Sequence, residues 1–331
     1  MEKRTCGKSG IDISVFGIGC WSYGGGDYWG PQSQKDVNEV AQAALDNGIN
    51  FFDTAEGYNA GRSEEALAVG LKGRRHEAVI GTKFGMGVAN AAEVREKCEA
   101  SLQRLQTDYI DIYMVHWPIP EGPVDEVFAT LMALKTEGKI RSIGVSNFGV
   151  QQLSEAIATG VQIDVNELCY NLLSRGIELE IVPLCLKHEI GILGYMPLLQ
   201  GILTDRYKSV DEIPPVHSRF RHFDPSSDRP QVIHGEEGAE TEMFEAVAGI
   251  KGLAEADNIP MSRLALAWTI AKPGITCTLV GMRNISEFRE NIKAAAFPLS
   301  PTHIAQLDEL TTPLLNKLGG NVDYFLGKRT F

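Results

Sequence analysis

The chain has 331 residues, 44% of them hydrophobic, with a net charge of −12 and a pI near 5.1, so its surface repels phosphate backbones and anionic lipid and excludes nucleic acid and membrane as partners. Six cysteines without a Cys-x-x-Cys pair argue for buried thiols in a reducing compartment and against a disulfide framework. With no apolar run of about 18 residues and no basic start leading into an apolar core, the sequence predicts a cytoplasmic protein.

Residues 3–20 set Gly7-Lys8-Ser9-Gly10 before the alternating Ile11, Ile13, Val15 and Phe16, which predicts a hairpin leading into a first buried strand. Gly17-Ile-Gly19 invites a dinucleotide-loop reading, but no helix opens directly after it and no third glycine stands at the required spacing. The aromatic and glycine-rich stretch 21–30 reads better as a loop at the rim of a pocket. From Ser33 the pattern is regular: Ser33 with Asp36 opens a helix in which Val37, Val40, Ala41, Ala44 and Leu45 recur until Asn47-Gly48. The same unit then repeats as helix 64–71, strand 78–82, helix 92–105, strand 110–115, helix 124–136, strand 142–145, helix 151–158 and strand 165–168. It continues with helix 179–188, strand 192–195, helices 243–256 and 262–271, strand 277–280 and helix 286–295. Eight strands alternating with helices predict a single (β/α)₈ TIM barrel over 1–331, with an N-terminal hairpin and its site at the strand C-termini. Two stretches stand outside the repeat: a Pro-rich segment at about 204–242, too long for a simple loop and either a disordered insertion or a lid, and a tail from about 300.

Three strand ends carry polar residues. Ile49, Phe51 and Phe52 lead into Asp53, with Tyr58 in the turn beyond; strand 78–82 leads into Lys83; strand 110–115 leads into His116. Asp53, Lys83 and His116 are spaced 30 and 33 residues apart, one strand-helix unit each, so parallel neighbours bring them to one end of a sheet. A carboxylate, an ammonium and an imidazole converging there can tune a phenol. The other six histidines, at 76, 188, 217, 222, 234 and 303, have no partner at ligand spacing and read as surface or loop residues, so no metal site is expected.

These four positions, with Gly-Lys-Ile-Arg-Ser-Ile-Gly-Val-Ser-Asn-Phe at 138–148, resemble the aldo-keto reductase family over nearly the whole chain, about residues 5 to 310. The resemblance implies NAD(P)H-dependent reduction of an aldehyde or ketone, with Tyr58 as general acid, Lys83 as its tuner, Asp53 as the lysine's partner and His116 orienting the carbonyl. It also implies that the hairpin closes the barrel bottom and that the 204–242 loop and the tail cover the site. Ser146, Asn147 and Glu167 match positions at the nicotinamide carboxamide, and Tyr195 the ring that stacks on the nicotinamide. Gly201 and Leu203 match the pyrophosphate loop; Gly281, Arg283 and Asn291 match the adenosine end. Glu167 stands where the family commonly has glutamine, Met196 where it has serine and Val280 where it has proline. NADP(H) is favoured over NAD(H) because Arg283 offers a donor fork for a 2′-phosphate, although Glu287 occupies a position where many relatives carry arginine; that carboxylate is expected to swing to solvent.

Trp21, Tyr28, Trp29 and Trp117 are the candidate substrate-binding residues, with Asp27, His217 and Arg219 as polar groups for hydroxyls or an anion. Aromatic faces beside polar groups suit a sugar or polyol-derived carbonyl, and Tyr170 to Arg175 is similar to bacterial sugar-associated branches of the family. Two other readings remain: a Schiff-base lyase or isomerase using Lys83, and a non-enzymatic partner subunit. The sequence gives no oligomeric state.

Overall fold

The computed structural model describes residues 1–85, 90–119, 124–226, 229 and 231–325. The opening forms an antiparallel hairpin, β1 (Lys3–Thr5) and β2 (Asp12–Ser14). The Arg4 guanidinium donates to the carbonyls of Ile270 and Ile275 at 3.0 and 2.6 Å, and the Asn50 amide donates to Asp12 O at 3.0 Å. These bonds lay the hairpin across the N-terminal ends of the barrel strands, as the resemblance implied.

Eight parallel strands follow: β3 (Phe16–Gly19), β4 (Phe51–Asp53), β5 (Val79–Phe84), β6 (Ile110–Val115), β7 (Ile140–Ser146), β8 (Val165–Cys169), β9 (Gly191–Tyr195) and β10 (Ile275–Gly281). They pair in chain order, and β10 pairs with both β9 and β3 to close the barrel. Successive side chains on a strand point to opposite faces. Phe51, Val79, Ile112, Met114, Val165, Leu193, Cys277 and Leu279 accordingly fill the interior, together with Cys6, Ile11 and Ile13 from the hairpin. The Phe51 ring needs the space left by two glycines: a Cβ on Gly17 would lie 3.0 Å from it and 2.9 Å from Cys277 Sγ, and a Cβ on Gly81 3.0 Å from it. Gly17 is thus a packing glycine, which explains its presence without a nucleotide loop.

The helices are α1 (Gln34–Asp46), α2 (Arg62–Gly70), α3 (Ala91–Leu105), α4 (Val124–Thr136), α5 (Val150–Ala158), α6 (Ile181–His188), α7 (Glu240–Ala256), α8 (Met261–Ala271), α9 (Ile285–Asn291) and α10 (Pro301–Leu318). Their starts follow capping chemistry: Ser33 accepts from Asp36 N at 3.0 Å, Asn90 from Glu93 N at 3.1 Å, and Asn284 from Ser286 N and Glu287 N at 3.0 Å. The tail from 300 is an 18-residue helix, α10, which the repeat pattern did not predict. Ser300 caps it, Pro301 occupies its first turn, and Leu307, Thr311, Leu314 and Leu318 form its buried stripe. It packs on α7 closely enough that a Cβ on Gly249 would lie 2.5 Å from Leu310 Cδ2. No helix among the described residues is long and apolar enough to cross a membrane.

The 204–242 segment, apart from residues 227, 228 and 230, which lie outside the described residues, is held by buried Tyr207, Ile213, Phe220 and Phe223. Arg221 ties it to the tail, donating to Leu318 O and Asn321 O at 3.0 Å and to Glu236. His222 and His234, read from sequence with the surface or loop histidines, are buried; their Nε2 atoms face Leu173 O at 2.8 Å and Phe223 O at 3.1 Å. Packing the loop down buries the carbonyls of Leu173, beyond β8, and of Phe223, within the loop, and these imidazoles give them partners.

Candidate active site

The alternation that fills the barrel interior also builds the site. Continued to the C-terminal strand ends, the inward-facing positions become Asp53 on β4, Lys83 on β5, His116 just past β6, Glu167 on β8 and Tyr195 on β9. Register places Asp53 beside Gly81 and Glu167 beside Ser146. Tyr58 reaches the same place from the turn after β4, where Asn59, Ala60 and Gly61 take φ values of +49°, +54° and +86° and reverse the chain over the barrel mouth.

Lys83 is fully buried and its ammonium is saturated. It donates to Asp53 Oδ1 at 2.5 Å, to Thr54 O at 2.9 Å and to the Tyr58 hydroxyl at 3.3 Å. Because Lys83 supplies a donor to the phenol oxygen, the phenol's own proton is left to point into the cleft. Burial opposes the lysine charge, but the Asp53 carboxylate, first among the opposing causes, holds the ammonium well above its usual range. Burial pushes the Tyr58 hydroxyl up, and the Lys83 ammonium pulls it back. His116 presents its ring edge-on to Tyr58, centroids 5.7 Å apart at 77°; burial first, and Lys83 second, push it down to about 3, so the imidazole is neutral at physiological pH.

Glu167 lies against the same cation, 3.3 Å from Lys83 Nζ, and its Oε2 is buried with no hydrogen-bond partner among the described residues. Burial and the neighbouring Asp53 charge drive its carboxyl well above the carboxylate range. Two carboxyls share one ammonium, so one keeps its proton. The shorter contact gives the charge to Asp53 and the proton to Glu167.

Around this centre runs a cleft of about 1070 Å³. Trp21, Tyr28, Trp29 and Trp117 all line it. Trp21 is stacked between Tyr58 at 5.9 Å and Tyr28 at 4.8 Å, with Trp29 edge-on at 5.1 Å. The Tyr28 hydroxyl is used inside the protein: it donates to Val216 O at 3.2 Å and accepts from Gln200 at 2.5 Å, so the ring face is what Tyr28 offers. Ser146, Asn147, Glu167, Tyr195, Gly201, Gly281, Arg283 and Asn291 line the cleft as well. Asn147 is engaged on both sides of its amide, donating to His116 O at 3.0 Å and accepting from the Tyr195 hydroxyl at 2.7 Å.

Three expectations are corrected. Leu203 is wholly buried and off the cleft, and the N–H groups of both Gly201 and Leu203 donate to Leu198 O, at 3.0 and 3.2 Å, so neither is turned toward an anion. The turn folds on itself because Leu199, Gln200 and Gly201 all take positive φ. Glu287 is exposed, but its carboxylate is turned back onto its own turn: at the start of α9 it accepts from Arg283 N at 2.9 Å and from the Asn284 amide at 3.0 Å, where free N–H groups attract a carboxylate. The Arg283 guanidinium in turn rests on Gln32 Oε1 at 3.1 Å and Pro31 O at 2.7 Å.

Sequence reasoning missed Gln200, Arg206 and Phe325, which also line the cleft. Phe325 arrives from the tail and packs edge-on against Trp117 at 5.8 Å. Nothing local in the sequence marks it, since its position depends on α10 and on Arg221.

The aldo/keto reductase family model matches residues 15–312. The chain is 34% identical over 294 residues to the aldo-keto reductase YhdN of Bacillus subtilis, covering 86% of this chain and 85% of that protein. It is 31% identical over 337 residues to an NADH-specific methylglyoxal reductase of Escherichia coli, covering 95% and 99%. A crystal structure of an aldo-keto reductase from Klebsiella pneumoniae in complex with NADPH aligns with a TM-score of 0.73 at 29% identity, covering 94% of this chain and 96% of that one. The chain belongs to the aldo/keto reductase family and is an oxidoreductase of that family.

Proposed function

We propose that this protein is an NADP(H)-dependent carbonyl reductase that converts an aldehyde or ketone, of a sugar or polyol-derived kind, to the alcohol. The observation that carries the reading is the 3.3 Å bond from fully buried Lys83 to the Tyr58 hydroxyl, with Asp53 fixing the lysine at 2.5 Å. Bound nicotinamide cofactor would supply the hydride for the carbonyl carbon. Tyr58 then gives its proton to the carbonyl oxygen, and Lys83 holds the phenolate that remains. Neutral His116, edge-on to Tyr58, aims an N–H at the same oxygen and cannot compete as an acid. In the reverse direction the tyrosinate takes the alcohol proton. The Schiff-base reading of Lys83 is disfavoured because every donor of its ammonium is engaged.

The cleft fits a long anionic dinucleotide. Its lining includes Tyr58, Ser146, Asn147, Tyr195 and Asn291 and three guanidinium groups, those of Arg206, Arg219 and Arg283. Tyr195 and Asn147 would face the nicotinamide and Arg283 the 2′-phosphate. The NADPH carried by the Klebsiella relative supports that preference; the NADH-specific E. coli relative shows that the alternative occurs among relatives. The whole chain would act as one barrel covered by the 204–242 loop and the tail from about 300. Six buried free cysteines suit a cytoplasmic location. The test is consumption of NADPH and NADH against a panel of aldoses, uronates, keto sugars and aromatic aldehydes; a purified protein that oxidises neither cofactor with any of them refutes the proposal.

A further inference from the structure

We infer that Arg219 is an anion-recognition residue of the substrate pocket, and that the preferred substrates carry a carboxylate or phosphate several carbons away from the reacting carbonyl. The inference rests on the carbonyl-reductase reading of the site.

The Arg219 guanidinium lies over three rings, 4.8 Å from Phe325, 5.2 Å from Tyr28 and 5.6 Å from Trp21. Among the described residues it forms no ion pair with a carboxylate, and its buried Nε has no hydrogen-bond partner. Among the described residues Arg283, which also lines the cleft, likewise lacks a carboxylate, but its guanidinium is answered by Gln32 Oε1 and Pro31 O. Other partly buried arginines are neutralised: Arg75 by Asp111, Arg104 by Glu64, Arg175 by Glu178, Arg221 by Glu236. With a net charge of −12 the protein has carboxylates to spare, yet this cation inside the cleft is left without one.

The neighbours point the same way. Trp29 Nε1 and His217 Nδ1, whose rings are 6.0 Å apart, are also buried without partners among the described residues. Burial, then Arg206 and Arg219, push His217 down, as a positive local field would. None of these atoms is compensated within the described residues, so the local field stays positive, and it would hold an anionic group that meets the Arg219 guanidinium from the cleft more strongly than a neutral aliphatic carbonyl. Stacking a guanidinium on aromatic faces leaves its in-plane N–H edge free for bidentate contact with carboxylate or phosphate.

Distance sets the spacing. The Trp21 ring that lies beneath Arg219 is stacked on Tyr58 at 5.9 Å. Arg219 and Tyr58 therefore neighbour the same indole as separate positions of one cleft, and a carbonyl at Tyr58 and an anion at Arg219 belong to one molecule when carbons lie between them. A hexuronate or a hexose 6-phosphate in its open form meets that condition; a 2-oxo acid is too short. Arg206 lies on the 199–206 turn over Tyr207 and also lines the cleft.

The test compares D-glucuronate, D-glucose 6-phosphate and D-glucose as substrates with NADPH, in the wild type, Arg219→Gln and Arg219→Lys. Binding of D-glucuronate and of NADP⁺ to the same proteins is measured by calorimetry. The wild type should favour at least one anionic sugar over glucose by about 10-fold or more, and Arg219→Gln should reduce that ratio by about 10–100-fold, the range of a charge-assisted hydrogen bond. Arg219→Lys should restore part of it, and whichever anion shows the larger effect identifies carboxylate or phosphate. An unchanged ratio in Arg219→Gln overturns the inference, as does an equal loss of NADP⁺ affinity, which would place Arg219 on the cofactor. If the wild type reduces no carbonyl, the reductase reading fails and calorimetry decides alone: Arg219-dependent binding of D-glucuronate upholds the anion site, and Arg219-independent or absent binding of D-glucuronate overturns it.

Discussion

Replacing Lys83 by methionine removes the one cation among the described residues that faces Tyr58 at hydrogen-bond distance. Two unit charges 3.3 Å apart interact by about 5 kcal/mol at an effective dielectric constant of about 20, or between three and four pKa units. The full amount is not realised. Asp53, 2.5 Å from the ammonium, already cancels part of the field at Tyr58, and without the ammonium this buried carboxyl takes up a proton. The apparent pKa of the catalytic base should therefore rise by about 1 to 3 units. The sign follows from the reaction: alcohol oxidation needs tyrosinate, the ammonium favours tyrosinate, and its loss moves the rising limb of the pH profile to higher pH. The assay is kcat/KM for alcohol oxidation with NADP⁺ as a function of pH, alongside circular dichroism to establish that the variant is folded. Asp53→Asn should shift the limb the same way by less. An unchanged limb in both variants would refute Tyr58 as the titrating base.

Tyr58→Phe should retain cofactor binding and lose carbonyl reduction by about 10²–10⁴-fold, measured as NADPH oxidation. Arg283→Ala should lower kcat/KM for NADPH more than for NADH if its fork meets the 2′-phosphate as proposed; undiminished NADPH selectivity, or a wild type that prefers NADH, would overturn that role. Burial holds His222 down to about 4, below the ordinary value of 6.5, so the unfolded chain takes the proton first and stability is lost as pH falls from about 6.5 to about 4. That amounts to about 3 kcal/mol, and His222→Gln should show a shallower fall of Tm over the same interval. Gly144→Ala should destabilise the barrel by about 1–3 kcal/mol in urea unfolding, because the new Cβ would lie 2.5 Å from Val165 Cγ2 and 2.8 Å from Met114 Cγ inside a closed ring of strands.

Much of the architecture was legible because it is written in short-range terms. Ser33 and Asn284 cap helices within three residues of themselves, and the apolar stripe of α1 follows one period. The alternation along β4 and β5 sends Phe51 and Gly81 inward, and Asp53 and Lys83 must follow. Because neighbouring strands are also neighbours in sequence, Asp53, Lys83 and His116 converge once the barrel is granted. What tertiary structure decided are the contacts between distant segments. That Glu167 shares Lys83 with Asp53 depends on the closed barrel, which brings β8 opposite β4 and β5. That Gly201 and Leu203 spend their N–H groups on Leu198 depends on a run of positive φ angles that no residue pattern announces. The order of the 204–242 loop rests on Arg221 reaching carbonyls about a hundred residues away on the tail, and Phe325 enters the cleft only because α10 packs on α7. Periodicity and capping are properties of a few adjacent residues, so the sequence carries them directly; the pairing of a buried charge is a property of whatever the fold brings beside it, and only closure of the chain determines that.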